Sequence, residues 1–200
     1  MPNANDFWKR FWCELNKKWE KEIYANDTKW TEIMLGTSPK TKGNRGLIGD
    51  IAHSLGFTEE AGETEISSGY YMIDQTWYRY IKFGDKQTWR LEAAIEHENS
   101  KDSEDYKYEI RKLFYINAPL RVVIGYPPNK QPSDEPISSE TLSDLKFWLD
   151  DARACGFLNS DFLLILGHRS VWNQNIWHTY LLNKPHWQET VKKWELSSKE

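Results

Sequence analysis

Two runs rich in aromatic and β-branched residues, 70–83 and 88–98, flank the polar group Gly84, Asp85, Lys86 and Gln87. That pattern predicts a β-hairpin and so rules out an all-helical fold. Side chains alternate across a strand, which puts Leu91, Ala93 and Ile95 on one face and Glu92, Ala94, Glu96 and Glu98 on the other. With a turn centred on 84–87, the numbers of facing residues sum to about 171. Asp74 then lies beside residues 96–98, and a register one residue to either side sets it opposite Glu96 or Glu98. Three carboxylates gather on one face, with Glu92 further along it. Like charges repel in an apolar setting, so the cluster either faces water or is neutralised by a cation. Ile73 and Ile95 flank the acids and argue for an apolar layer. Hard oxygen donors of this kind suit Mg²⁺ or Mn²⁺.

The remaining periodicities place helices and further strands around the hairpin. Trp8, Phe11, Trp12, Leu15, Trp19 and Ile23 form one apolar helical face, and Trp30, Ile33 and Met34 extend it or begin a second helix. Leu47, Ile48, Ile51, Ala52 and Leu55 predict a short helix closed by Gly56. Tyr106, Ile110, Leu113, Phe114 and Asn117 mark a helix that stops before Pro119. The apolar run 120–126 reads as a central strand covered on both faces. A helix over 139–154, strands over 161–167 and 176–182, and a last helix around Trp187, Val191 and Trp194 complete a single 200-residue α/β domain.

The formal net charge of −4 excludes a protein that coats nucleic acid nonspecifically, so phosphate binding would need a local basic patch. Lys101, Lys107, Arg111 and Lys112, on the expected outer side of their helix, are the best such patch; Lys40, Lys42 and Arg45 are a weaker one. His168 and Arg169, at the end of a strand, read as surface loop. The 11 tryptophans read as packing rings. Cys13 and Cys155 lack metal-site spacing and read as buried thiols of a reducing compartment. The N-terminal residues lack the apolar run of a signal peptide, and the longest apolar stretch, 162–166, is too short to span a bilayer. These features lead to the expectation of a cytoplasmic protein with no membrane partner.

The order of elements, with Ile73-Asp74 on one hairpin strand and Ile95-Glu96-His97-Glu98-Asn99 on the next, resembles the PD-(D/E)XK nuclease superfamily over residues 5–126. The resemblance implies a restriction-endonuclease-like fold, a mixed β-sheet core flanked by helices. It also implies metal-dependent hydrolysis of phosphodiester bonds, in DNA, with Asp74 and Glu96 as ligands of Mg²⁺ or Mn²⁺. The family's usual lysine is replaced by Glu98, which would then orient or deprotonate the attacking water; a lysine from elsewhere, such as Lys101, Lys107 or Lys112, could also project into the site. Glu20, Glu22 and Glu32 are candidates for the glutamate that an opening helix often adds. Pairing of two such sites implies a homodimer. The alternative is a non-catalytic member of this fold that binds nucleic acid or a protein partner. A glycoside hydrolase, suggested by paired acids amid tryptophans, fits less well because the acids crowd one strand pair.

Overall fold

A computed structural model describes residues 1–19, 30–36, 45–57, 64–70, 72–98, 103–126, 139–156, 161–167 and 177–181. Its elements run α1 (Ala4–Trp19), α2 (Trp30–Leu35), α3 (Gly46–Ser54), β1 (Thr64–Tyr70), β2 (Ile73–Phe83), β3 (Lys86–His97), α4 (Ser103–Phe114), β4 (Leu120–Gly125), α5 (Ser139–Ala154), β5 (Asp161–Gly167) and β6 (Trp177–Leu181). The fold is mixed α/β, with a six-stranded mixed sheet in the order β1-β2-β3-β4-β5-β6. The chain divides into two compact units: Met1–His97 with Ala118–Arg121, and Glu98–Asn117 with Val122–Glu200.

In the first unit, α1 starts at Asn3, whose side-chain oxygen accepts the Asp6 N–H at 2.9 Å while its amide donates to the Asp6 carboxylate at 2.7 Å. Such a cap satisfies a helix-end donor that would otherwise lack a partner. Of the expected apolar face Trp8, Phe11 and Leu15 are buried and Trp12 is half-buried; Phe7, not counted on it, is buried too. Cys13 sits on the opposite, exposed side, and Cys155 of the second unit is exposed too. Both thiols are free, and neither is the buried packing residue that the sequence led one to expect.

Helix α3 buries Leu47, Ile48, Ile51 and Ala52. Gly56, at φ +87°, turns the chain so that the Phe57 N–H reaches the Ala52 carbonyl at 3.0 Å and the Gly56 N–H reaches that of His53 at 3.1 Å. This Schellman arrangement is one that glycine adopts without a Cβ penalty. It delivers Phe57 onto the Trp77 ring, 5.3 Å between centroids, with Phe7 5.8 Å from the same indole. Trp77 is fully buried and its Nε1–H donates to Gln75 Oε1 at 2.9 Å. The hairpin is thus anchored to the helices through one aromatic cluster.

Three features of the strands differ from the expectation. The pair Phe83↔Lys86 leaves only Gly84 and Asp85 in the turn, not four residues. Gly84 has φ +59° while Asp85 does not have positive φ, the pattern of a type II′ hairpin turn. A β-bulge between Trp77 and Tyr78 then leaves Glu92 as an extra residue in β3, since Trp77 pairs with Ala93 and Tyr78 with Leu91. The strand expected to begin at residue 70 begins at Ile73, and an unexpected strand, β1, precedes it and pairs antiparallel with β2 from Thr64↔Arg79 to Tyr70↔Ile73.

In the second unit, Ile110, Leu113 and Phe114 of α4 and Leu145, Leu149 and Ala152 of α5 are buried. Between these helices run the Lys107–Asp144 ion pair at 3.3 Å and a hydrogen bond from the Tyr115 hydroxyl to Asp151 at 2.6 Å. Phe114 also packs against Phe162 of β5, ring centroids 4.9 Å apart. Strand β4, whose first two residues belong to the first unit, is buried at every residue, the charged Arg121 included. Strands β5 and β6 are antiparallel, from Leu163↔Leu181 to Gly167↔Trp177. The last helix expected from the sequence lies outside the described residues. Among the described residues no helix is long and apolar enough to cross a membrane.

Candidate functional site

Beyond the bulge, the β2–β3 register runs Trp77↔Ala93, Thr76↔Ala94 and Gln75↔Ile95. One further step sets Asp74 opposite Glu96, within the one-residue range that hairpin arithmetic allowed. The hydrogen bonds agree: the Asp74 N–H donates to Glu96 Oε2 at 3.3 Å, and the His97 N–H donates to Asp74 Oδ2 at 2.8 Å. Each carboxylate accepts a main-chain donor of the opposite strand. The acids therefore take over, at the end of the ladder, a role that carbonyl groups fill along the rest of it. Thr76 and Ala94, two positions along, share their face and are fully buried. On the other face Ile73, Gln75, Trp77, Ala93 and Ile95 are buried as well. Glu96 is 2% exposed and Asp74 half-buried. An acid pair in so covered a place is not an ordinary solvated face, where carboxylates turn outward to water.

Glu92 departs from the expectation that it shares the face of Glu96. The bulge turns it toward Arg79 and Arg90, on the side of the strands that carries Trp77. Its Oε1 accepts from Arg90 Nε at 2.7 Å and lies 3.8 Å from Arg79 Nε. The Arg79 guanidinium is 5.3 Å above the Phe57 ring, so arginine, carboxylate and aromatic cluster belong together. Glu92 is fully buried, and its Oε2 meets no hydrogen-bond donor among the described residues.

Glu98 follows β3 directly, is half-buried, and donates its backbone N–H to the Ile124 carbonyl at 2.8 Å within the second unit. His97 is buried. Glu32 is exposed on α2, while Glu20 and Glu22 lie outside the described residues. The basic patch is not the open cationic surface that was expected. Lys107 is buried and ion-paired with Asp144. Its position three residues before Ile110 and seven before Phe114 sets it on the apolar stripe of α4, where the aliphatic stem packs and the ammonium group reaches out to a carboxylate. Lys112 is half-buried and pairs with Glu109; Arg111 is exposed, its guanidinium 5.5 Å from the Trp148 ring. Lys101 lies outside the described residues, as do Lys40, Lys42, His168 and Arg169. Arg45 pairs with Asp50 at 3.4 Å. Tyr115 titrates above the usual 10.0 because its hydroxyl is held by the Asp151 carboxylate.

The described residues contain no group of three or more His, Cys, Asp or Glu side chains arranged to hold a metal ion. Asp74 and Glu96 by themselves offer two hard oxygen donors. That donor set fits Mg²⁺, which takes one or two carboxylates and fills its octahedron with waters and substrate phosphate. Comparison with protein-family models, with curated proteins and with solved structures finds no match.

Proposed function

We propose that this chain is a metal-dependent nuclease that hydrolyses phosphodiester bonds in DNA. The observation that carries the reading is the Asp74–Glu96 pair, two carboxylates facing each other across adjacent strands in a covered site. In this reading Asp74 and Glu96 hold Mg²⁺ or Mn²⁺. The ion, when bound, supplies Lewis acidity toward the phosphate and lowers the pKa of a water. The His97 and Asp74 N–H groups orient the two carboxylates and limit their rotation. Glu98 takes the role of proton acceptor from its place in the acidic-x-acidic spacing after Ile95, where the resembled family carries a lysine.

The test is plasmid nicking by wild type beside Asp74→Ala and Glu96→Ala. Wild type should nick DNA with Mg²⁺ or Mn²⁺ and much less with Ca²⁺, whose looser coordination activates water poorly. Each alanine variant should lose at least about 100-fold in rate, the scale on which a catalytic electrostatic group acts. Equal nicking by wild type and Asp74→Ala would reveal a contaminating enzyme and end the assignment. Glu98 in place of lysine supports a second reading, a non-catalytic nucleic-acid or protein binder. A Mn²⁺ titration separates the two: the catalytic form binds Mn²⁺ through Asp74 and Glu96, and the binder does not.

A further inference from the structure

Among the described residues β1 accompanies β2 only as far as Arg79, and residues 80–89 continue past it as a β2–β3 arm. Every residue from 82 to 90 is exposed. Isolated two-stranded hairpins are marginal in water, and apolar residues on them usually have a reason. Here Phe83 is 68% exposed and Trp89 46%. Tyr80 and Trp89 face each other across the strands, ring centroids 4.9 Å apart. By alternation Tyr80, Trp89 and Lys82 share one face, and Phe83 and Lys86 the other. Each face of the arm thus joins an aromatic platform to a cation.

The charge is equally selective. Residues 79–90 carry Arg79, Lys82, Lys86 and Arg90 against Asp85 alone, in a chain whose formal net charge is −4. Arg79 and Arg90 are engaged by Glu92. Lys82 and Lys86 belong to no ion pair among the described residues, and both are exposed or nearly so at the tip. A lysine beside an exposed ring is the combination that binds unpaired nucleotides, the cation taking the phosphate and the ring stacking on the base.

We infer that the β2–β3 arm is a binding surface for single-stranded nucleic acid, with Tyr80, Trp89 and Phe83 stacking on bases and Lys82 and Lys86 contacting phosphates. The inference rests on the nuclease reading for its class of substrate, and it is tested without divalent ions so that the two can fail separately. The measurement is fluorescence anisotropy of labelled oligothymidylate and oligouridylate in EDTA at several salt concentrations, with the full chain. Wild type should bind, and the two probes compared side by side tell DNA from RNA. Lys82→Glu/Lys86→Glu should weaken binding at least about tenfold and flatten the salt dependence by between one and two phosphate contacts. Phe83→Ala and Trp89→Ala should each weaken it about fivefold or more. Trp89→Ala also loosens the pair with Tyr80, so Phe83→Ala, whose ring has no such partner among the described residues, is the cleaner variant. Asp74→Ala should bind like wild type in EDTA, and wild type that binds but cleaves neither DNA nor RNA when Mg²⁺ or Mn²⁺ is added would sink the metal reading alone. Unchanged binding by the double lysine variant would overturn the arm as the surface. Tighter binding to the matching duplex would overturn the assignment to unpaired bases. Binding of phosphatidylserine vesicles, but of neither oligonucleotide, that depends on Lys82 and Lys86 would replace the nucleic acid with a lipid surface.

Discussion

At its base the β2–β3 hairpin is covered on both faces; at its tip, residues 82–90 are all open to solvent. The base carries Ile73, Trp77, Ala93 and Ile95 with two carboxylates, and the tip carries lysines and exposed rings. One continuous strand pair therefore serves two environments, and the change falls at the bulge beside Trp77. On the base side, alternating side chains meet the apolar cluster of Phe7 and Phe57. The extra residue at Glu92 shifts the pairing by one, and among the described residues β1 accompanies β2 no further than Arg79. The difference teaches that the base of the hairpin is set by packing, while among the described residues the projecting part is held by its own pairing and its turn.

The comparison breaks first at Trp77. Truncating this fully buried indole to alanine removes the ring on which Phe7 and Phe57 pack and deprives Gln75 of its donor. We expect a loss of about 3–5 kcal/mol, the usual range for a large buried aromatic. Against a typical total of roughly 5–15 kcal/mol, that brings the chain close to unfolding. Urea denaturation followed by circular dichroism measures it. A loss below about 1 kcal/mol would mean that the base is no better packed than the tip.

The bulge itself can be probed by an asymmetry. Glu92 is fully buried, whereas the Arg79 and Arg90 side chains are 37% and 47% exposed. Arg79→Ala/Arg90→Ala leaves a buried carboxylate with neither counter-ion and should cost about 3 kcal/mol. Glu92→Gln leaves two guanidinium groups that water can reach, and removes a charge one of whose oxygens has no donor among the described residues. It should cost no more than about 1 kcal/mol. Equal losses from the two changes would show that the arginines are held by something other than Glu92.

Much of this was legible in the sequence, for identifiable reasons. Alternation over 88–98 and a glycine-led turn brought Asp74 within one residue of the acids but left it opposite Glu96 or Glu98; the two-residue turn and the bulge together set it at Glu96. The bulge was not legible: Glu92-Ala93 contains no glycine, and only the pairing shows which residue is extra. Strand β1 escaped notice because Ser67, Ser68 and Gly69 dilute its β-branched content, and because the turn into β2 uses Met72 at φ +60° where a glycine is usual. Lys107 was misplaced because a charged residue on an apolar stripe reads as surface until a partner such as Asp144 is seen. The arm was hidden for the opposite reason. Its residues look like any β-strand, and only the exposure of 82–90 and the end of β1 at Arg79 set them apart.

The smallest effect is expected at the tip, and it is the most telling. Phe83 is a large apolar residue in a regular strand, paired with Lys86, and a reading from sequence alone would place it in the core. At 68% exposure it has little buried surface to lose. Phe83→Ser removes β-propensity and some cross-strand contact, each worth a few tenths of a kcal/mol, and leaves Gly84 and Asp85 to set the turn. The stability change should stay within about 0.5 kcal/mol, as for surface substitutions generally. Differential scanning calorimetry, with wild type and Trp77→Ala in the same buffer, reads both ends of the hairpin on one scale. A loss at Phe83 above about 2 kcal/mol would mean that the ring is buried against another part of the chain in solution, and the arm would then not be open. A near-zero change leaves an exposed ring that contributes nothing to folding at the tip of the hairpin. Selection for stability does not account for such a ring, whereas contact with a partner does.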